Sequence, residues 1–332
     1  MIKSTSLNKY LDNYFGDFIK DDDVTEICYN GDKKIWVLDA KSSWQCFDTH
    51  MNYEAAHAFS QATAAFKGVE VQRNNPILSA TLPGGERVQV VLPSATKENH
   101  ISITIRKPSK KRFTLEDYAE QGIFDDITKG TDTESNSTTK EKLLKFYEEN
   151  DFKNFITHAV AQGKNIIISG ETGSGKTTFM KSLIDHIPVN ERIITIEDVE
   201  EIKFYEHKNF VQLFYPSEAK EGDFLTSSSL LKSCLRMKPD RILLAELRGG
   251  ETYDFINVIN SGHNGSITSC HAGSVKETFT RLALMTLKNV QGQKIPHETI
   301  NKILKDMIDV IVHMHEHNGK RYITDIYYKN AQ

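Results

Sequence analysis

Gly170-Glu171-Thr172-Gly173-Ser174-Gly175-Lys176-Thr177 follows the apolar run Asn165-Ile166-Ile167-Ile168-Ser169 and opens a stretch with helical patterning. The pattern G-x-x-x-x-G-K-[ST] between a strand and a helix is that of a loop that holds the phosphates of a nucleoside triphosphate. Its glycines let the backbone curl until successive N–H groups face phosphate oxygens, and the helix aims the positive end of its dipole at the same charge. Gly170, Thr172, Gly173, Ser174 and Gly175 form the predicted cradle. Lys176 reaches the β- and γ-phosphates, Thr177 takes the Mg²⁺, and Thr178 completes the nucleotide-contacting set. A nucleoside triphosphate with Mg²⁺ is the expected ligand.

Outward from this loop, strand-like runs alternate with helical ones: Ile193 to Ile196, Ser229 to Met237, Ile242 to Ala245, Asp254 to Asn260. Such alternation predicts an α/β domain with a mostly parallel sheet and helices on both faces. Ligands of such sheets sit at the carboxyl ends of the strands. Two of those ends carry carboxylates. Ile196-Glu197-Asp198-Val199-Glu200-Glu201 could hold Mg²⁺ through water or take a proton from attacking water, or be a solvated acidic turn. Asp240-Arg241-Ile242-Leu243-Leu244-Ala245-Glu246 is an apolar strand ending in one acid, a Walker B pattern with Glu246 near the metal. Arg248 directly after it suits either phosphate or a neighbouring carboxylate. Gly262-His263 through His271-Ala272-Gly273 places two histidines beside a short strand, which by itself reads as structural hydrogen bonding.

The N-terminal part differs in rhythm. Leu7, Leu11, Tyr14, Phe15 and Phe18 have helical spacing, Ile27-Cys28-Tyr29 and Ile35-Trp36-Val37-Leu38 flank an Asn30-Gly31 turn, and Tyr53 to Phe66 is a second helix. Alternating stretches then run from Ala80 through Ile105, so this part is a smaller α+β domain. Residues 128–142 hold no large apolar residue and read as a flexible linker. The expected division is therefore 1–127, 128–142 and 143–332. Just before the linker, Arg106-Lys107-Pro108-Ser109-Lys110-Lys111-Arg112 packs five cations into seven residues, which suits a solvated linker, a phosphate-facing patch, or a nucleic-acid or lipid contact.

Across 332 residues, 41 Lys and Arg offset 45 Asp and Glu, so the chain lacks the basic excess of a sequence-independent nucleic-acid binder. No apolar run approaches bilayer length, and the first residues lack a signal-peptide core, so a cytoplasmic location is expected. Cys28, Cys46, Cys234 and Cys270 are scattered, without a C-x-x-C pair, and read as reduced thiols, mostly buried. His313, His315 and His317 alternate before an Asn318-Gly319 turn; the solvent face of a hairpin explains them without zinc.

Phosphate loop, acidic box, Walker B strand with Glu, and histidine box, in this order, resemble the traffic ATPases of bacterial type II and type IV secretion. Ile196-Glu197-Asp198, Leu235-Arg236-Met237-Lys238-Pro239-Asp240-Arg241, Glu246-Leu247-Arg248 and Ser261-Gly262-His263 are nearest in wording to the type IV, conjugal transfer branch, as are Ser102 to Pro108. The four-cysteine metal module common in type II relatives is absent. The resemblance implies a RecA-like P-loop ATPase domain, ATP or ADP as its nucleotide, a homo-hexameric ring, inner-membrane secretion-machine components as partners, peripheral contact with that membrane, and no sequence-specific nucleic acid. Residue by residue it implies Lys176 and Thr177 on phosphate and Mg²⁺, Glu197 as the base positioning water, Glu246 near the metal, and His271 sensing the γ-phosphate. Arg106, with Arg87 as the weaker candidate, closes on the phosphates from the N-terminal domain. A pilus or type II motor, a nucleic-acid translocase and a non-catalytic nucleotide-switched assembly platform are the alternative readings.

Overall fold

The computed structural model describes residues 2–108, 114–120, 137–220 and 222–331. Among them the N-terminal strands are β1 (Val24–Tyr29), β2 (Lys34–Asp39), β3 (Trp44–Asp48), β4 (Ile77–Thr81), β5 (Arg87–Val91) and β6 (Ser102–Arg106). They form an antiparallel sheet in the order β3-β2-β1-β6-β5-β4. Leu7 from the first helix, Phe15 from the turn after it and Phe59 from helix Tyr53–Lys67 share a buried cluster with Ile27, Val90 and Ile103 of the sheet. Asn52 caps that helix by accepting from Ala55 N, and Gly68 ends it in the left-handed region, so its ends are set by local sequence.

The second sheet contains β7 (Ile166–Gly170), β8 (Ile193–Glu197), β9 (Phe210–Phe214), β10 (Arg241–Leu247), β11 (Ile267–Cys270), β12 (Val310–His317) and β13 (Lys320–Tyr328). Its order is β13-β12-β7-β11-β10-β8-β9, parallel throughout except for the β12–β13 hairpin. Strands buried on both faces need apolar residues at successive positions. Ile166 and Ile168 join one core while Ile167 joins the other, and Leu243 is separated from Ile242 and Leu244 in the same way. This layering puts the carboxyl ends of β7, β11, β10 and β8 side by side, with the phosphate loop leaving β7.

Several local expectations change. The Asn30-Gly31 turn is a four-residue connection, because Asp32 accepts from Lys34 N and Lys33 also takes positive φ. The helix expected from Leu143 to Gln162 is two helices, Ser137–Glu148 and Phe152–Ala161, broken where Asn150 turns left-handed and Asp151 caps the second. The first of these reaches back into the stretch read as linker. Buried Leu143, with Phe146 and Tyr147 against the same core, anchors the helix and lets a polar turn precede it. Residues 128–136 lie outside the described residues. His313 is buried rather than solvent-facing, because β12 lies inside the sheet and a register irregularity follows His313. Cys28, Cys234 and Cys270 are buried, Cys46 is exposed, and all are free thiols.

A polar seam joins the two sheets. Arg192, fully buried just before β8, donates from Nη1 to Asn30 Oδ1 (2.9 Å) and Asn209 Oδ1 (2.5 Å), and from Nε to Met237 O (3.0 Å). Trp44 Nε1 donates to Asp240 Oδ2 at 3.0 Å, and Gln89 Nε2 to Ser233 Oγ at 2.8 Å.

Candidate nucleotide and catalytic site

Two glycines let the loop take its path. A Cβ on Gly170 would stand 2.2 Å from Met314 O of neighbouring β12, and Gly175, at φ +90°, is the left-handed N-cap of helix Lys176–Ile184. Thr172 and Gly173 are exposed at the loop's tip, Ser174 is buried with its hydroxyl donating to Glu171 O, and Thr177 and Thr178 lie in the first turn of the helix. Lys176 is 7% exposed and folds back over the loop, donating from Nζ to Gly170 O (3.0 Å) and Glu171 O (2.9 Å). Burial pushes its pKa below the ordinary lysine value, with the nearby Glu246 carboxylate opposing the shift. A cation partly stripped of water and without a directly bonded carboxylate is suited to receive an anion.

A chain of charged groups runs from this lysine across the strand ends. His271, directly after β11, stands 3.4 Å from Lys176 Nζ through Nδ1 and 3.0 Å from Glu246 Oε1 through Nε2. Glu246 Oε2 accepts from Arg248 Nε (3.0 Å) and Nη2 (2.9 Å), and Arg248 Nη1 donates to Asp198 Oδ2 at 2.6 Å. Lys176, His271, Glu246 and Arg248 are thus brought together as read from sequence, with Arg248 facing carboxylates. Asp198 joins them; the sequence reading placed it in the acidic stretch after β8 but singled out Glu197.

Glu197 is not part of this group. It is 0% exposed, and its two oxygens accept from Thr195 Oγ1 (2.7 Å), Gln212 Nε2 (3.1 Å), Glu201 N (2.9 Å) and Ile202 N (2.9 Å). The side chain ties down the loop after β8, and the neighbouring Asp198 is the acid that faces the site. Alternation along a strand end is the physical reason, since adjacent residues point to opposite sides.

Arg106 and Arg87 sit at the end of the N-terminal sheet, directly opposite each other in the β5–β6 ladder. Arg106, mostly exposed, is 3.5 Å from Glu26 Oε1 within the same sheet. Like charges directly opposite on antiparallel strands are destabilising unless an anion lies near.

Residues 16–316 match the family described as Type II/IV secretion system protein. The chain belongs to that family. The Type IV secretion system protein VirB11 of Brucella abortus biovar 1 (strain 9-941) is 49% identical over 317 residues, covering 94% of this chain and 87% of that protein. VirB11 of Bartonella henselae is 39% identical over 324 residues (94% and 90%), and PtlH of Bordetella pertussis 36% over 315 residues (93% and 91%). A crystal structure of the VirB11 ATPase from the Brucella suis type IV secretion system in complex with sulphate has a TM-score of 0.92 at 45% identity, covering 99% of this chain and 97% of that one. As a member of the type IV branch of this secretion family, the chain is a RecA-like, nucleotide-binding ATPase with an N-terminal α+β part. The reaction of this family is the hydrolysis of ATP.

Proposed function

We propose that the phosphate loop and the Lys176–His271–Glu246–Arg248–Asp198 chain hydrolyse Mg·ATP to drive transport through, or assembly of, a type IV secretion system. The observation that carries this reading is His271 placed between the phosphate-loop lysine and the Walker B carboxylate. Phosphoryl transfer is mostly a matter of positioning and charge stabilisation. Lys176, released from the loop carbonyls, neutralises β- and γ-phosphate charge, and Glu246 orients water through the charged chain.

The site's oxygens fit Mg²⁺. Thr177 offers a hydroxyl, and Glu246 and Asp198 carboxylates, at one end of the sheet, and Mg²⁺ commonly uses one or two side chains with substrate phosphates and water. Bound there, the ion would supply charge neutralisation at the phosphates. Gly170, Thr172, Gly173, Ser174, Gly175 and Thr178 contact the nucleotide through the cradle.

Arg106 and Arg87, a like-charged pair at the sheet end, close on the γ-phosphate when subunits assemble as a homo-hexamer. Guanidinium charge supplied only on closure couples hydrolysis to movement. The ring works at the cytoplasmic side of inner-membrane secretion components, in peripheral contact with that membrane. No described helix is long and apolar enough to cross a bilayer. Phosphate release by the purified protein with Mg·ATP tests the reading: absence of turnover in wild type, or full turnover in Lys176→Ala, contradicts it.

A further inference from the structure

We infer that Arg321 of the β12–β13 hairpin is a second cationic contact for the nucleotide, directed at its α- and β-phosphates. The hairpin is seated on the phosphate loop. Met314 pairs with Gly170, and its carbonyl oxygen occupies the space where a Cβ on Gly170 would go. One turn further out, Arg321 crosses the loop at Gly175. Its Cδ, Nε and Cζ lie 2.7, 3.2 and 3.5 Å from the position a Cβ on Gly175 would take. Gly175 precedes Lys176, and the backbone N–H groups of such a loop cradle the α- and β-phosphates.

Nothing on the hairpin neutralises this arginine. Glu316 is its cross-strand partner, but Glu316 Oε1 accepts from Gly319 N at 2.6 Å, in the turn made by Asn318 and Gly319 at φ +52° and +75°. Arg321 forms no ion pair among the described residues and is exposed. A guanidinium stays charged at any physiological pH, so a permanent cation lies against a loop whose N–H groups already collect anions. Its charge acts on the diphosphate that both ATP and ADP carry, whereas Lys176 and His271 face the γ-phosphoryl that is transferred to water as ADP leaves. Arg321 therefore contributes to binding in ground state and transition state alike, which raises affinity without raising kcat.

This inference rests on the phosphate loop holding nucleotide, so titration calorimetry of the full chain begins with ADP and wild type. No binding there would sink the loop reading itself. With binding established, Arg321→Ala should weaken ADP by about tenfold and leave adenosine unaffected. Arg321→Lys should recover part of the loss, since the charge remains and the fork does not. The KM for ATP should rise in step while kcat stays within about twofold. The ligand-free Tm should not move, because no ion pair is lost. An ADP affinity within about twofold of wild type overturns the assignment, as does equal weakening of ADP and adenosine, or a fall in ligand-free Tm that accounts for the loss.

Discussion

Glu246 Oε1 and His271 Nε2 stand 3.0 Å apart across neighbouring strand ends, and this contact is what ties the Walker B acid to the phosphate loop. The parallel β10–β11 ladder is regular at Leu243 and Leu244 and irregular before Leu247 pairs with Cys270. That irregularity spans Ala245 and Glu246, where the Glu246 carboxylate meets the ring that follows β11. The other ring nitrogen faces Lys176, so one imidazole links the phosphate-loop lysine to Glu246.

Lys176→Ala should abolish hydrolysis, and Glu246→Gln should lower turnover by about 10²-fold while nucleotide affinity changes little. His271→Ala should fall between wild type and Glu246→Gln, because it breaks the relay and leaves both charges in place. Phosphate release and ADP titration on the same preparations check the order. Loss of binding in Glu246→Gln would make Glu246 structural.

Glu197→Gln should behave as a stability variant. Its carboxylate accepts four hydrogen bonds out of water, and an amide nitrogen placed against any of those donors leaves it unsatisfied. The cost is about 1–3 kcal/mol, visible as a Tm lowered by several degrees. Turnover per folded molecule below the transition should stay within a few-fold of wild type. A Tm unchanged with turnover lost would return Glu197 to the chemistry.

Arg106→Ala should reduce turnover more than Arg87→Ala, since Arg106 ends the strand that leads out of the N-terminal sheet and the two face each other there. Light scattering should give a hexamer, favoured by an ATP analogue. A monomer at micromolar concentration with saturating nucleotide contradicts assembly-dependent closure, and the reverse order of the two variants reassigns the closing arginine.

What the sequence made legible followed from strong local rules. The phosphate loop has a fixed glycine pattern, the parallel strands are runs of isoleucine and leucine, and the Walker B acid ends one of them. Other features depend on partners distant in the chain. β9 carries Gln212 in its middle, tolerable only because Glu197 and Ile202 O accept from it. β3 is largely exposed, with Trp44 held by Asp240, nearly two hundred residues away. Glu197 and Asp198 look equivalent in sequence, and only the pleat decides which one faces the site. Arg321 belongs to no motif, and a hairpin folding back over the loop is what gives it a place.

Glu26 offers a pH test of the arginine pair. Burial raises its pKa to about 7 from an ordinary 4.5, with Arg106, Lys238 and Arg192 opposing the shift. The folded state therefore holds a proton that the unfolded chain has released between these values. Stability contributed at this position is full below about pH 4.5, is lost as pH rises to about 7, and is constant above. At about 1.4 kcal/mol per pKa unit, the loss by pH 8 is about 3 kcal/mol at most, less for the exposed arginine's screening. Glu26→Gln removes the titration. Its Tm relative to wild type should rise by several degrees between pH 5 and pH 8, and a difference independent of pH would show that Glu26 is already ionised at low pH. The same variant frees Arg106 from its acid at neutral pH. If Arg106 serves the nucleotide on closure, ATP turnover at pH 8 should hold or increase, whereas a collapse of turnover with the fold intact would mean that the Glu26 contact is what aims the arginine.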